Sequence, residues 1–510
     1  MQSGEHPRFK LKASGDACDA LWPLAENGEE QAAAQGGLRL TMVTAVWGKW
    51  HLDMHFNVNL PTLLAPGNLP ALAARCKTTY LIFTRKADFE RINSAAEIEA
   101  LRRIMTVEIR WLDEADLQDP IAAHHKAWNL ATKEAADNGS LVLLMPPDVA
   151  WGDNSFGSVV KHLENGVRAI FMTYLRAESS SFVEALLSRK PKEGIVNRVP
   201  PEEMVELCVR SLHPLMGAYL RDSDYFPIHP EMILWAVPGE GFAVRVLARE
   251  MFIFDPVRVE LNSVALVAQT LSDDAIAFMA ESDELFAVSL APLGKDIGWH
   301  INAHRADAIE IAGWWLNYDS PVNDFIASQK IRWHFAPVTE DKWRCKERSS
   351  DLFVRRVAVA REGMRIWQAA CELECTKASL ALSLAVHTGA FQRGVRGRGH
   401  ALVLIPNDAA FDDDAYFEWL LTPEGAKSLT LLIGAHHIPD VKDFVGARDP
   451  LAAANNDDKR GVVQSGRGPI LLRQLDDGSY EIAGAQVTDG PLKIGKHAVY
   501  VVDRLIDGRR

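Results

Sequence analysis

The short apolar run at residues 140–145, Ser-Leu-Val-Leu-Leu-Met, constrains the fold more than any other feature of the sequence. A wholly apolar run of this length is typical of a strand buried on both faces of a parallel sheet. Upstream, strand patterns alternate with helical patterns; the strands fall at 38–47, 78–84 and 105–111, and the helices at 51–64, 95–103 and 121–138. This alternation predicts an α/β domain with a mostly parallel sheet.

Two loops follow strands of this predicted sheet, and ligands of such sheets sit beyond the carboxyl ends of the strands. The first loop is Trp47-Gly48-Lys49-Trp50-His51, and the second runs from Pro146 to Asp153. Asp148 emerges directly from the buried strand, where a carboxylate is able to hold Mg²⁺ or Mn²⁺ against a diphosphate. The alternative is a simple turn, because Pro-Pro-Asp is good turn chemistry and the segment 153–155 is able to cap the next helix.

This order of elements, with a strand ending in Leu81-Ile-Phe-Thr84 and a buried strand ending in an aspartate loop, resembles the GT-A fold of nucleotide-sugar glycosyltransferases. The hallmark of that family is Asp-x-Asp; here Asp148 matches its first position, but Ala150 stands at the second and the next acid is Asp153. The resemblance covers residues 39–340 and extends to bacterial proteins of this transferase-like type. It implies a nucleotide-sugar donor that contacts Trp47, Gly48, Thr84 and Asp148, and Mn²⁺ or Mg²⁺ held by Asp148 with Asp153.

Acidic residues further along the chain are candidates for the acceptor side. Glu240 lies in the turn Pro-Gly-Glu-Gly between two apolar strands, where a carboxylate is able to act as a general base. Asp283, in the cluster Glu-Ser-Asp-Glu at 281–284, is the second catalytic candidate. The alternatives are a hairpin whose glutamate faces water and a solvated turn. Three tryptophans allow either stacking on sugar rings or core packing, namely Trp299, Trp314 and Trp315.

The C-terminal third contains a series of short boxes in a fixed order. A strand at 401–405 precedes Pro406-Asn-Asp-Ala-Ala-Phe411, a His-His-Ile-Pro segment ends at Pro439, and a closing strand covers 499–505. Together they resemble a fasciclin domain over residues 385–510, a smaller α+β module. Asp408 is predicted to cap the following helix and Phe411 to anchor it, and His437 is predicted to be a core histidine and not a metal ligand. The resemblance implies a protein or glycan partner for this module.

Charge and composition exclude several classes of protein. The 55 Lys and Arg against 68 Asp and Glu give a net charge of −13, which disfavours nonspecific nucleic-acid binding. No apolar run approaches the roughly 18 residues of a membrane span, and the first residues lack the apolar core of a secretory signal. Six scattered cysteines do not make a disulfide scaffold. We therefore expect a soluble, cytoplasmic protein.

The expected organisation is a flexible arm at 1–38, the transferase-like domain at 39–340, a helical connector at 341–384 and the fasciclin-like module at 385–510. The expected function is transfer of a sugar from a nucleotide-diphosphate donor to an unknown acceptor. The alternative is a non-catalytic scaffold or interaction protein that uses a degenerate transferase fold and the fasciclin-like module. The incomplete Asp-x-Asp motif favours the scaffold, and the aspartate after a buried strand favours the enzyme.

Overall fold

The computed structural model describes residues 37–113, 115–189, 194–261, 264, 267–294, 301–305, 307–395, 401–439, 460–465, 468–494 and 497–506. The predicted flexible arm therefore lies outside the described residues, apart from its last two positions. None of the described helices combines the length and apolar character needed to cross a membrane.

The strands of the described residues are, in chain order, β1 Arg39–Ala45, β2 Lys77–Arg85, β3 Thr106–Leu112, β4 Leu141–Leu144, β5 Val149–Trp151, β6 Ala169–Phe171, β7 Leu175–Glu178, β8 Phe226–Pro227, β9 Met232–Val237, β10 Gly241–Val246, β11 Met251–Phe254, β12 Ile276–Phe278, β13 Ala287–Ala291, β14 Ile301–Asn302, β15 Ile331–His334, β16 Leu402–Pro406, β17 His437–Ile438, β18 Arg460–Ser465, β19 Gly468–Gln474, β20 Tyr480–Ile482, β21 Ala485–Ile494 and β22 His497–Val502.

The α-helices are α1 Lys49–Met54, α2 Leu60–Leu63, α3 Leu69–Ala73, α4 Phe89–Asn93, α5 Ala96–Arg102, α6 Pro120–Asp137, α7 Ser155–Glu164, α8 Ser179–Leu187, α9 Pro201–Arg210, α10 Pro214–Ala218, α11 Val267–Thr270, α12 Ala308–Leu316, α13 Pro321–Ser328, α14 Glu340–Glu372, α15 Thr376–His387, α16 Ala390–Gly394, α17 Asp414–Leu420 and α18 Ala426–His436. A π-helical turn, His55–Asn59, joins α1 to α2, so the helix predicted at 51–64 is continuous but irregular.

The N-terminal sheet has the strand order β12-β6-β11-β4-β1-β2-β3. Its β1 is parallel to β2 and β4, β2 is parallel to β3, and β6 is parallel to β12. The mostly parallel α/β sheet predicted from the sequence is confirmed. One strand departs from it: β11 is antiparallel to both β4 and β6. Strand direction depends on where the chain returns from, and a strand of four apolar residues carries no sign of that.

The helix α6 covers one face of this sheet with a stripe of small residues. Its buried side chains are alanines four residues apart, namely Ala123, Ala127, Ala131 and Ala135. Small side chains at this spacing share one face of a helix and allow it to lie close to the strands. Asp119 caps the helix by accepting hydrogen bonds from the backbone N–H groups of Ile121 and Ala122.

The C-terminal sheet has the order β17-β16-β22-β21-β20-β19-β18, with β16 parallel to β22. The long helix α14 lies in an apolar core that also contains Trp235 of β9, Val403 of β16 and Val499 of β22. The segment predicted as a connector at 341–384 therefore shares a core with residues that precede it in the sequence and with residues that follow it.

The box at 406–411 is arranged differently from the prediction in one respect. Asp408 accepts a hydrogen bond of 2.8 Å from the backbone N–H of Lys377, in the first turn of α15. The helix that follows the box, α17, is capped by Asp413. Phe411 is buried and packs on Phe417 of α17, as an anchor does. The predicted cap is wrong because several acids precede α17, and the sequence pattern does not distinguish between them.

Candidate functional site

A cavity of about 1040 Å³ opens where β4 and β6 end. Leu144 and Pro146 line it after β4, and Met172 and Tyr174 line it after β6. This is the position at which doubly wound α/β sheets bind their ligands. Its volume lies at the upper end of the roughly 300–1,000 Å³ of small-molecule sites, so it is large enough for a dinucleotide-sized ligand.

The lining of this cavity is rich in aromatic side chains, namely Trp128, Trp151, Tyr174, Tyr219, Phe252, Trp314 and Tyr318. At one place the ring of His125 stacks on Trp128 with 5.7 Å between centroids. At another place Trp314 and Tyr318 lie 4.6 Å apart. Aromatic walls with a few polar groups suit planar or ring-shaped ligands such as nucleobases and sugars.

Most charges of the cavity wall are paired within the protein. Glu231 binds Arg249 at 2.9 Å, and Asp319 binds Arg365 and lies 3.8 Å from Arg361. The exposed Glu250 also lines the cavity.

Among the arginines of the wall, Arg176 is the exception to this pairing. It is half-buried, and within the part of the chain that the structure describes its guanidinium has no hydrogen-bond or ion-pair partner. An unpaired guanidinium in a concave site is a ready binding group for a phosphate or carboxylate.

Asp148 lies beside this cavity, between the lining residues Pro146 and Val149. Burial raises the pKa of its carboxyl, and the nearby His51, Arg176 and His124 oppose that rise. The ring of His124 lies 5.0 Å from that of Trp47.

The structure therefore places Trp47 and Asp148 in one neighbourhood and adds Arg176, which the sequence reasoning missed. Arg176 lies at the start of a short strand of mixed character, and no local pattern marks it as a binding residue.

None of the four predicted donor-binding residues is among those that line the cavity, and Gly48 and Thr84 have other roles. Gly48 adopts a φ of 77°, and its N–H donates a 2.9 Å hydrogen bond to Asp88. Thr84 is fully buried near the end of β2. Both residues lie near the carboxyl edge of the sheet, where they support the loops.

Asp153 does not join Asp148 in a metal site. Its Oδ1 accepts hydrogen bonds of 2.9 Å from the backbone N–H groups of Gly67 and Asn154, and its Oδ2 accepts one of 2.5 Å from Arg198. Both carboxylate oxygens thus serve the loop itself, and the strand β5 separates the two aspartates. Of the two predicted metal ligands only Asp148 remains, and the Arg176 cation is near it, so this donor set does not fit Mg²⁺ or Mn²⁺.

One group of metal-ligating side chains does cluster within the described residues, but in the C-terminal part of the chain. Ligand atoms of Glu362, His437 and His497 all lie within 4.8 Å of one another, which makes a possible metal-binding triad by distance. However, Nδ1 of His497 accepts a 3.1 Å hydrogen bond from the backbone N–H of Ala401. Because Nδ1 accepts, the N–H group of the ring is at Nε2, the atom that faces Glu362. A metal would need the lone pair of that nitrogen, so the arrangement favours a buried hydrogen bond over an ion.

Glu240 lies in the turn between β9 and β10, where it contacts the start of α14. It is not among the residues that line the cavity. Its buried carboxylate accepts hydrogen bonds from the backbone N–H of Thr339 at 2.8 Å, from Lys342 at 2.6 Å and from the indole of Trp343 at 2.9 Å. Lys342 and the Thr339 N–H lower the pKa of Glu240 to about 2. A carboxylate this well satisfied is a poor proton acceptor, and its surroundings are those of a structural anchor.

Asp283 also lies outside the cavity lining. Its side chain is 64% exposed, and its nearest partner is His334 at 3.4 Å. Its neighbour Glu281 is half-buried, and burial raises the pKa of that carboxyl to about 7. Asp283 takes no part in the hydrogen bonds of Glu240, and it is not paired with Asp148 in the described structure.

The three tryptophans considered for sugar stacking have different places. Trp315 is buried in the core, Trp314 lines the cavity, and Trp299 lies outside the described residues. Adjacent positions on a helix point in different directions, which explains why two consecutive tryptophans separate in this way.

Comparison with known proteins yields no family for the chain. No protein-family model and no curated protein matches it. Among solved structures, a Bacillus anthracis protein named as a "putative glucose-1-phosphate thymidylyltransferase" in complex with a sucrose matches at a TM-score of 0.18 and 13% identity, covering 32% of this chain and 69% of its own.

Two further solved structures match in the same weak way. S. aureus TarS matches at a TM-score of 0.22 and 10% identity, covering 88% of this chain and 61% of its own. Mouse xyloside xylosyltransferase 1 matches at 0.16 and 12% identity, covering 34% of this chain and 68% of its own. Two of the three names are those of transferases, but a likeness at TM-scores this low gives no support to any particular activity.

Proposed function

We propose that this protein is a glycosyltransferase that binds a nucleoside-diphosphate sugar in the cavity at the carboxyl ends of β4 and β6 and transfers the sugar to a hydroxyl group. The observation that carries this proposal is the guanidinium of Arg176, which pairs with no other described side chain, within an aromatic-lined cavity of about 1040 Å³. The cation suits the diphosphate, and the rings suit the base and the sugar.

Arg176 takes the role that a metal ion has in related chemistry. When a sugar leaves a nucleoside diphosphate, negative charge develops on the bridging phosphate oxygen. A guanidinium held near that oxygen stabilises the charge through two parallel N–H···O hydrogen bonds. The separation of Asp148 from Asp153 makes this metal-independent arrangement the one that the side chains support.

Asp148 is the proposed base. The hydroxyl oxygen of the acceptor attacks the anomeric carbon of the sugar, and the bond from that carbon to the phosphate oxygen breaks. Its electron pair stays on the nucleoside diphosphate, and the hydroxyl proton passes to the Asp148 carboxylate. Burial raises the pKa of Asp148, which brings it closer to the operating range of a general base.

The test is thermal stability of the full chain with UDP-glucose, GDP-mannose and dTDP-glucose, each measured in EDTA and with added Mn²⁺. A ligand that binds the native state increases the free energy of unfolding, by about 2.7 kcal/mol at a ligand concentration of 100 Kd, and thereby raises the melting temperature. We expect a shift with one nucleotide that persists in EDTA. No shift with any donor at millimolar concentration overturns the proposal and favours the non-catalytic scaffold.

A further inference from the structure

We infer that Trp314 and Tyr318 form the acceptor subsite of this cavity and that the acceptor is a saccharide; this inference rests on the proposed function. Both rings line the cavity, with 4.6 Å between their centroids and an angle of 35° between their planes. Tyr318 is 45% exposed, so its ring is accessible to a ligand in the cavity.

Trp314 and Tyr318 together form an aromatic platform, and the Trp314 side of this platform is held rigidly by the packing of α12. On α12, Trp315 is buried, and the guanidinium of Arg361 lies 3.6 Å from the centroid of its ring. Asp307 caps the same helix through a 2.7 Å hydrogen bond from Ile309 N–H. Trp314 is therefore presented to the cavity by a helix whose opposite side is anchored in the core, and rigid presentation lowers the entropic cost of binding.

A buried acceptor atom lies at the foot of the platform. Asn323 lines the cavity, is only 5% exposed and donates a 2.7 Å hydrogen bond to the carbonyl of Tyr318. Its Oδ1 accepts no hydrogen bond from any of the described residues. A buried carbonyl oxygen without a donor is costly, and a ligand that carries hydroxyl or amide donors would supply the missing hydrogen bond.

A sugar ring matches both features at once. Its axial C–H faces are apolar and pack on aromatic rings, while its hydroxyl groups lie at the rim and donate hydrogen bonds. An aliphatic acceptor would satisfy the rings but would leave Asn323 Oδ1 without a donor.

The platform lies along the same wall as the proposed diphosphate group. Tyr219 and Arg176 both line the cavity, and Tyr219 donates a 3.0 Å hydrogen bond to the carbonyl of His229. The indole of Trp314 lies 3.4 Å from Nδ1 of the same histidine and donates to it. One wall therefore runs from Arg176 to Trp314, and donor and acceptor are able to occupy adjacent parts of one cavity.

The experiment is saturation-transfer NMR on the full chain with methyl β-glucoside, methyl β-galactoside and methyl N-acetyl-β-glucosaminide, in the presence of the nucleoside diphosphate that the thermal screen selects. We expect at least one glycoside to bind. Trp314→Ala should weaken its binding about two- to ten-fold, since an aromatic contact contributes about 0.5–1.5 kcal/mol. Trp314→Phe, which keeps a ring, should retain most of the affinity.

The matched control is Trp419→Ala, because Trp419 is also a partly exposed tryptophan next to a tyrosine, Tyr416, but lies on α17. Binding of no glycoside by the wild-type chain, or equal loss in the Trp314 and Trp419 variants, overturns the inference while nucleotide binding continues to support the transferase. Glycoside binding without any nucleotide binding overturns the proposed function and, with it, the acceptor assignment. Circular-dichroism melts of each variant check that the fold is intact.

Discussion

The carboxylate of Glu240 and the indole of Trp343 are joined by a buried hydrogen bond of 2.9 Å. Together with the contacts to Thr339 and Lys342, this bond fastens the turn between β9 and β10 to the first turn of α14. A carboxylate near a helix N-terminus also interacts favourably with the helix dipole. Glu240 thus connects the N-terminal part of the chain to the helix that carries the shared core.

Replacing Glu240 should therefore affect stability and leave nucleotide binding unchanged. Glu240→Ala leaves buried donors without an acceptor, so its melting temperature should fall well below that of Glu372→Ala, a control at the exposed end of α14. Because the folded pKa of about 2 lies below the ordinary 4.5, the stabilisation is fully present above pH 4.5 and is lost as the pH falls toward 2. Equal melting temperatures for the two variants at neutral pH would contradict the anchor role.

Arg176 should control the affinity for nucleotides. A hydrogen bond to a charged group contributes about 1.5–3 kcal/mol, so Arg176→Met should raise the Kd of the selected nucleoside diphosphate about 10- to 100-fold in titration calorimetry. The fold should not change, because the guanidinium of Arg176 makes no hydrogen bond or ion pair with any described residue. The control is Arg198→Met, which removes an exposed guanidinium bound to Asp153. An unchanged Kd in the Arg176 variant would count against its role.

The secondary structure of the N-terminal sheet is determined largely by local sequence patterns. The apolar run at 140–145 became β4, buried along its whole length, and the predicted helix at 121–138 became α6. Each of these depends on residues that are near one another in the chain. The antiparallel β11 was not predictable in this way, because its direction is set by a return path of about a hundred residues after β4.

The site was harder to predict because its chemistry depends on partners that are distant in sequence. Asp148 and Asp153 look equivalent on one loop, but only the structure shows Gly67 and Arg198 occupying the second carboxylate. The sequence around Glu240 is that of an adaptable turn, whereas Thr339 and the first turn of α14 bring three donors to it from about a hundred positions away. Arg176 became a candidate only when the cavity around it was known.

Asp148→Asn should separate catalysis from binding. Removing the proposed base should lower the rate of sugar transfer about 10²- to 10⁴-fold with little change in nucleotide affinity. Burial raises the pKa of Asp148 above 3.8, so the wild-type chain loses stability as the pH rises through the folded pKa. The neutral variant should therefore be at least as stable at alkaline pH.

The matched control for Asp148→Asn is Asp153→Asn, which disrupts the bonds to Gly67, Asn154 and Arg198. It should lower the melting temperature and leave the rate per folded molecule nearly unchanged. The opposite pattern, with catalysis lost at Asp153 and retained at Asp148, would overturn the assignment of the base.

His436 should make the C-terminal part of the chain sensitive to acid. Its Nδ1 bonds the carbonyl of Leu432 at 2.9 Å, and its Nε2 accepts the backbone N–H of Ile506 at 3.1 Å, so a second proton would face a donor. Burial lowers the pKa of His436 from 6.5 to about 4. The neutral ring therefore stabilises the fold above pH 6.5, and about 3 kcal/mol of this stability is lost as the pH falls to 4. Urea unfolding of the wild type and of His436→Gln should show a gap that shrinks over this range, whereas a gap independent of pH would show that the ring is not held neutral by its surroundings.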